Sequence, residues 1–204
     1  MYLAIDSSLK GYSAALSKDN ELLFSLSDNS SKSQYLITDL KQAFEEHSLK
    51  LTDIEYLIVN IGPGSFTGIR TALTLVKALE ANLELKVITV NNFQILRYLN
   101  PNATKLAFRA SLKNTNEYFV SLNERYDDLD SNFFATEIAS DISLFELPDA
   151  KDFAGMILDY AFSKKDQLQA LVAKEIMPYY LREPSLRLAK DLLRKQSLSE
   201  NGSK

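Results

Sequence analysis

Tyr56-Leu57-Ile58-Val59-Asn60-Ile61-Gly62-Pro63-Gly64-Ser65-Phe66-Thr67-Gly68-Ile69-Arg70 carries the reading of the fold. The run from Tyr56 to Ile61 is continuously apolar apart from Asn60 and is bounded by turn residues, which predicts a buried strand. Three of the chain's six glycines follow between positions 62 and 68. Beyond them, Ile69, Ala72, Leu73, Leu75, Val76, Leu79 and Leu83 recur at helical spacing, which predicts a helix from about Thr67 to Leu83. Buried strand, tight turn and helix in succession are the repeating unit of an α/β protein.

Working outward, three short apolar stretches precede this unit: Tyr2 to Ile5, Tyr12 to Leu16 and Leu22 to Leu26. Turn residues separate them, so they read as an antiparallel meander. A helix is predicted over Ser33 to His47, with Leu36, Leu40, Ala43, Phe44 and His47 on one side and Ile37 at the edge. After the central unit, Lys86 to Val90 reads as a strand, and Asn91-Asn92 as the N-cap of a helix ending near Leu99. Asn100-Pro101-Asn102 is the strongest boundary signal in the chain. Residues 1–100 are expected to form one lobe, 101–184 a smaller second lobe, and 185–204 a basic helix and a tail. In the second lobe, Leu106 to Arg109, Tyr118 to Leu122 and Phe133 to Ile138 read as strands, Ala154 to Phe162 fits either strand or helix, and Gln167 to Lys174 reads as a helix. Pro178 to Pro184 reads as extended chain.

The chain has 204 residues, 46% of them hydrophobic and 25% charged, enough for a sizeable core without cross-links. It has no cysteine, which removes a disulfide framework, a thiolate zinc site and a thiol nucleophile, and fits a reducing cytoplasm. A net charge of −4 and a pI near 5.2 do not favour a polyanion, so nucleic acid is not expected to bind this chain unaided. No apolar run approaches the roughly 20 residues of a membrane span.

Glycine turns between strand and helix can direct backbone N–H groups at an anion. They also simply allow a tight turn, which spacing alone favours here. Gly62 to Gly68 is not a Walker A loop, because no Gly-Lys-Ser/Thr follows, and it does not meet the dinucleotide spacing.

Gly62-Pro63-Gly64-Ser65-Phe66-Thr67-Gly68-Ile69-Arg70 resembles the signature loop of the TsaB family. Ala4-Ile5-Asp6-Ser7-Ser8 resembles its opening strand and turn, Ser33 to Phe44 its first helix, and Pro178-Tyr179-Tyr180-Leu181-Arg182-Glu183-Pro184 its C-terminal signature. The blocks occur in the family's order over most of the chain. Two departures stand out: Lys32-Ser33 replaces the usual His-Ser, and Ala110 to Tyr118 lacks the Asp and Arg of the family's middle segment.

The resemblance implies a two-lobed fold like that of actin and sugar kinases. It also implies a non-catalytic role: binding and activating TsaD, which transfers threonylcarbamoyl to the adenosine beside the tRNA anticodon. TsaE joins this assembly, tRNA binds only through the complex, and a homodimer can form when TsaD is absent. In the family the first two helices pair with those of TsaD. That assigns Leu36, Ile37, Leu40, Phe44, Ile69, Ala72, Leu73, Val76 and Leu79 to a partner interface. The apolar arc of the second helix, about 160° wide, exceeds the ~100° needed to face one core, so part of it is free to meet a partner. Fully internal packing explains the pattern equally well.

Catalytic residues are not expected. His47 is the single histidine, so the H-x-x-x-H metal pair of TsaD has no counterpart, and no cofactor or metal of the chain's own is expected. Asp6, Ser7 and Ser8 lie where an actin-like ATPase has its first phosphate turn. Residual nucleotide binding there and at Gly62, Gly64, Ser65, Thr67 and Gly68 stays open, although beyond position 100 only Gly155 and Gly202 remain for an adenosine loop. Asp127, Asp128 and Asp130 read as a solvated acidic loop. Arg187, Lys190, Arg194 and Lys195 form a basic face that could support tRNA within a complex. An ATP-dependent small-molecule kinase and a homodimer without a TsaD role are the rival readings.

Overall fold

The computed structural model describes residues 1–30, 33–110, 116–122 and 131–181. Lys32, the positions 111–115, the acidic loop at Asp127, Asp128 and Asp130, and the expected basic helix and tail lie outside the described residues.

The first sheet contains β1 (Tyr2–Asp6), β2 (Tyr12–Lys18), β3 (Glu21–Asp28), β4 (Tyr56–Asn60) and β5 (Lys86–Val90), in the order β3-β2-β1-β4-β5. β1, β2 and β3 form an antiparallel meander, while β4 and β5 extend the sheet in parallel from β1. Asp19 takes a φ of 54° in the β2–β3 turn, a left-handed conformation that Asp tolerates. Side chains alternate across the pleat. Leu3, Ile5, Leu57 and Val59 therefore face α1 (Leu36–Glu46) and α2 (Phe66–Glu80). Ala4, Ala15, Ile58 and Ile88 face the other way, toward α4 (Ala150–Ser163) and Ile95 of α3 (Asn92–Leu99).

The second sheet has the order β8-β7-β6-β9, built from β6 (Leu106–Arg109), β7 (Tyr118–Ser121), β8 (Asn132–Ala135) and β9 (Ser143–Phe145). Its register lines up Phe134, Phe119, Phe108 and Phe145 in one row. These rings meet Phe93 and Leu96 of α3. Arg97, on the same helix, is buried and donates to the carbonyls of Ala103 (3.1 Å) and Thr104 (3.2 Å) and to Ser121 Oγ (2.9 Å). α3 is thus packed between the two sheets.

The segment expected to belong wholly to the second lobe divides. Ala154 to Phe162 is helical, within α4, and this helix returns to cover the first sheet, burying Phe153, Ile157, Leu158 and Ala161 there. Lys165–Leu171 is a 3-10 helix, shorter than the helix expected to Lys174, and Val172 bridges to Ile88 of β5. β9, with the sequence Ser-Leu-Phe, was not expected as a strand because three residues carry too little alternation. Ser33–Tyr35 forms a 3-10 turn ahead of α1.

Candidate functional site

The two sequence blocks at Asp6 and Gly62 meet in space. β1 ends in the turn Asp6-Ser7-Ser8, and the glycine loop between β4 and α2 lies directly on it. Ser65 donates its backbone N–H to Ser8 O at 2.7 Å, and Ser7 Oγ donates to Gly68 O at 2.6 Å. The glycines make this approach possible. A Cβ on Gly64 would stand 2.1 Å from Ser8 O, and one on Gly68 would stand 1.8 Å from Ser7 O. Gly62 has a φ of 105°, and its peptide bond to Pro63 is cis.

Beneath the loop is a buried polar network that sequence reasoning only half found. Asn60 Nδ2 donates to Asn92 Oδ1 (2.6 Å) and Ser8 Oγ (3.1 Å), and Asn60 Oδ1 accepts from Gly62 N (2.9 Å). Asn92 Nδ2 donates to Pro63 O at 2.7 Å, and Asn92 N donates to Gly62 O at 2.8 Å. Of the Asn91-Asn92 pair, Asn91 caps α3 by accepting from Gln94 N at 3.0 Å, while Asn92 turns inward. The available signal was a polar Asn60 closing an otherwise apolar strand.

This arrangement decides what the loop's donors do. The N–H groups of Gly62, Ser65, Gly68 and Ile69 are all engaged, with Asn60 Oδ1, Ser8 O, Ser65 Oγ and Ser65 O. Turn and loop touch backbone to backbone at Gly64 and Gly68. The six-residue spacing therefore serves close packing of α2's entrance against β1. Pro178 to Leu181 completes the assembly. Tyr179 N donates to Ile61 O at 2.9 Å, Tyr180 OH accepts from Arg70 Nε at 3.2 Å, and the Tyr180 and Phe66 rings lie 4.9 Å apart. Two motifs more than 100 residues apart in sequence are one packed unit.

Asp6 is fully buried. Its Oδ1 accepts from Ser8 N (3.1 Å) and Ser8 Oγ (2.7 Å), whereas Oδ2 has no hydrogen-bond partner. Burial raises its carboxyl from 3.8 to about 6, against the lowering effect of the Ser8 hydrogen bonds. The folded state thus prefers the protonated acid. The associated stability is fully present below the unfolded value near pH 4 and is lost as pH rises through about 6. The shift is worth about 3 kcal/mol. Urea denaturation of wild type and Asp6→Asn between pH 4 and 7.5 should show wild type losing about that much relative to the variant. Stability curves that stay parallel across this range would refute the assignment.

The partner-interface residues expected from sequence fall mostly inside. Leu36, Leu40, Phe44, Ile69, Ala72, Leu73 and Val76 are buried in the core between α1, α2 and the first sheet, and Leu79 is half-buried against it. Only Ile37 is exposed, at 54%. The physical reason is that two helices on one sheet face need nearly the whole apolar arc to cover it. The outward side of α2 instead carries Thr67, Thr71, Thr74 and Ala78, spaced four, three and four apart along one stripe. Tyr35 stands exposed beside it on the 3-10 turn that contacts α2.

His47 is exposed, with Nδ1 2.8 Å from Ala43 O and its ring 5.3 Å from that of Phe24, a helix-end packing role. Among the described residues no group of three or more His, Cys, Asp or Glu is placed to hold a metal ion. No described helix is long and apolar enough to cross a membrane.

Together these features define an actin-like α/β protein of two mixed sheets, in which the glycine loop is a packing element. The fold is shared with two Pseudomonas aeruginosa structures. One is an uncharacterized protein with similarity to the peptidase YeaZ (TM-score 0.66, 20% identity, 89% of this chain and 99% of that one). The other is YeaZ itself (TM-score 0.65, 20% identity, 88% and 99%). The family model described as TsaD, tRNA N6-adenosine threonylcarbamoyltransferase, matches residues 29–151. The tRNA threonylcarbamoyladenosine biosynthesis protein TsaB of Buchnera aphidicola from Schizaphis graminum is 30% identical over 96 residues, 46% of this chain and 45% of that protein. Its counterpart from Acyrthosiphon pisum is 30% identical over 96 residues, 46% and 43% respectively. The match thus spans less than half the length of these curated relatives. The chain belongs to the family whose model matches residues 29–151, and within it is TsaB/YeaZ-like.

Proposed function

We propose that this chain takes part in tRNA threonylcarbamoyladenosine biosynthesis as a non-catalytic subunit. It binds a TsaD-type transferase through the outward faces of α1 and α2 and favours that enzyme's competent state. TsaE joins the same assembly, tRNA is met only through the complex, and the site of action is the cytoplasm. The observation that carries the reading is the outward stripe Thr67, Thr71, Thr74 and Ala78 with exposed Tyr35 on the turn that contacts α2, together with exposed Ile37 on α1. Small side chains let a partner helix approach closely, and the two larger apolar residues supply anchors of the kind that dominate interface affinity. The family relationship supports the choice of partner. A catalytic role has little to draw on: the only histidine packs at a helix end, there is no cysteine, and Asp6 is sealed beneath the loop. In this reading the chain uses no nucleotide or metal of its own.

The test is reconstitution of tRNA modification from TsaD, TsaE, the adenylate-forming enzyme, ATP and tRNA, with and without this chain. The double variant Ile37→Asp/Thr74→Arg alters only exposed positions. It should keep the wild-type melting temperature and lose co-elution with TsaD and at least tenfold of the activity. A variant that co-elutes as wild type does would place the interface elsewhere. Equal modification without the chain would refute the partner role. ATP consumption by the isolated chain that disappears in Asp6→Ala would favour a kinase. Loss of self-association alone in the double variant would favour a homodimer.

A further inference from the structure

A groove of about 320 Å³ opens on the face of the molecule where α4 crosses β2, away from the glycine loop. Ser17 forms part of its wall. That residue is only 2% exposed, and its hydroxyl has no hydrogen-bond partner. A buried hydroxyl without a partner is costly in a stable fold. The β2–β3 register shifts at Leu16/Ser17, with Leu23 the extra residue on β3, so a bulge lies beside Ser17. By the pleat, Ser17 lies on the same face as Ser13, whose Oγ accepts from Ala154 N of α4 at 3.2 Å. One turn further along the helix, the equivalent space is the groove.

Gly155 of α4 borders this space. A glycine inside a helix is destabilising relative to alanine. Close packing does not require it here, because a Cβ at this position would meet nothing within 4 Å. What the glycine does is leave the groove open.

The walls select a ligand class. Tyr98 and Phe162 supply aromatic surface, with Leu158 between the polar groups. Asn20 and Asp159 add an amide and a carboxylate, and among the described residues neither lysine nor arginine lines the groove. Asp159 is exposed and takes part in none of the ion pairs formed among the described residues. A carboxylate beside aromatic rings, without a compensating cation, suits an ammonium group carried on a flat apolar body. The volume is at the lower end of small-molecule sites. We infer that the groove between β2 and α4 binds a small aromatic or apolar amine, with its ammonium on Asp159, a hydrogen bond to Ser17 and its body against Tyr98 and Phe162. This site is separate from the surface assigned to the protein partner.

The test is an amide NMR titration of the full chain with phenethylamine, using 3-phenylpropionate as an anionic control of similar shape. Phenethylamine at millimolar concentration should shift the amides of Ser17, Asn20, Gly155 and Asp159 together, and 3-phenylpropionate should leave them in place. Asp159→Asn, at an exposed position, should weaken amine binding at least tenfold. Gly155→Leu should abolish it by filling the groove, with the remaining spectrum confirming the fold. If Gly155→Leu does not fold, Asp159→Asn decides. Absence of shifts, equal shifts with both compounds, or undiminished binding to Asp159→Asn would each overturn the proposal.

Discussion

Gly68→Ala should lower stability by about 3 kcal/mol, at the upper end of what overpacking costs. The added Cβ would stand 1.8 Å from Ser7 O and 3.0 Å from the carbonyl carbon behind it. Both atoms are backbone, so no rotamer change relieves the contact. Relief requires α2 to move away from the β1 turn, which breaks the 2.6 Å bond from Ser7 Oγ to Gly68 O and the 2.7 Å bond from Ser65 N to Ser8 O. For a chain of this size the loss corresponds to a fall in melting temperature of about 6–12 °C. Gly155→Ala is the internal control. The same methyl group enters a helix with open space around it, and stability should rise by up to about 1 kcal/mol. Thermal melts of the two variants measure both effects. If Gly68→Ala melts with wild type, the loop is not packed on the turn as described.

Leu73→Glu should leave no stably folded monomer. Leu73 is 4% exposed within the core that α1 and α2 build on the first sheet. Truncating a buried leucine already costs about 2–5 kcal/mol. A carboxylate without a partner adds several more, or takes up a proton to avoid it. The sum is comparable to the ~5–15 kcal/mol that holds a typical domain together. Loss of partner binding in this variant would therefore report unfolding and would say nothing of an interface. Circular dichroism and amide dispersion of the purified variant measure this directly. A native spectrum with an unchanged melting temperature would show that Leu73 points outward. Ile37→Asp, at a position 54% exposed, should keep its fold, and the contrast separates core from surface on adjacent helices.

The first half of the chain was readable because its elements announce themselves locally. The strands around Ala4, Ala14 and Ile58 and the helices from Leu36 and Phe66 were placed within a few residues, since apolar runs, turn residues and 3.6-residue spacing coincide there. Beyond Pro101 the signals weaken. β9 has three residues, and Ala154 to Phe162 is apolar enough to suit either period. The candidate site was half legible. The glycine cluster and the Asp6 turn were visible as motifs, but Asn60 and Asn92 gained their role only from being brought within 2.6 Å of each other across 32 residues.

By itself, then, the sequence determined the element types of residues 2–99, the α/β class and the need for glycine at the entrance of α2. These depend on backbone sterics and on the period of apolar side chains along a few consecutive residues. Only the tertiary structure decided which part of the α2 arc faces inward, that α4 returns to the first sheet, and that Ser65 N of the loop is engaged by the β1 turn while Gly62 N is engaged by Asn60. Burial and hydrogen-bond partnership belong to whatever lies across from a residue, and residues far apart in the chain supply it.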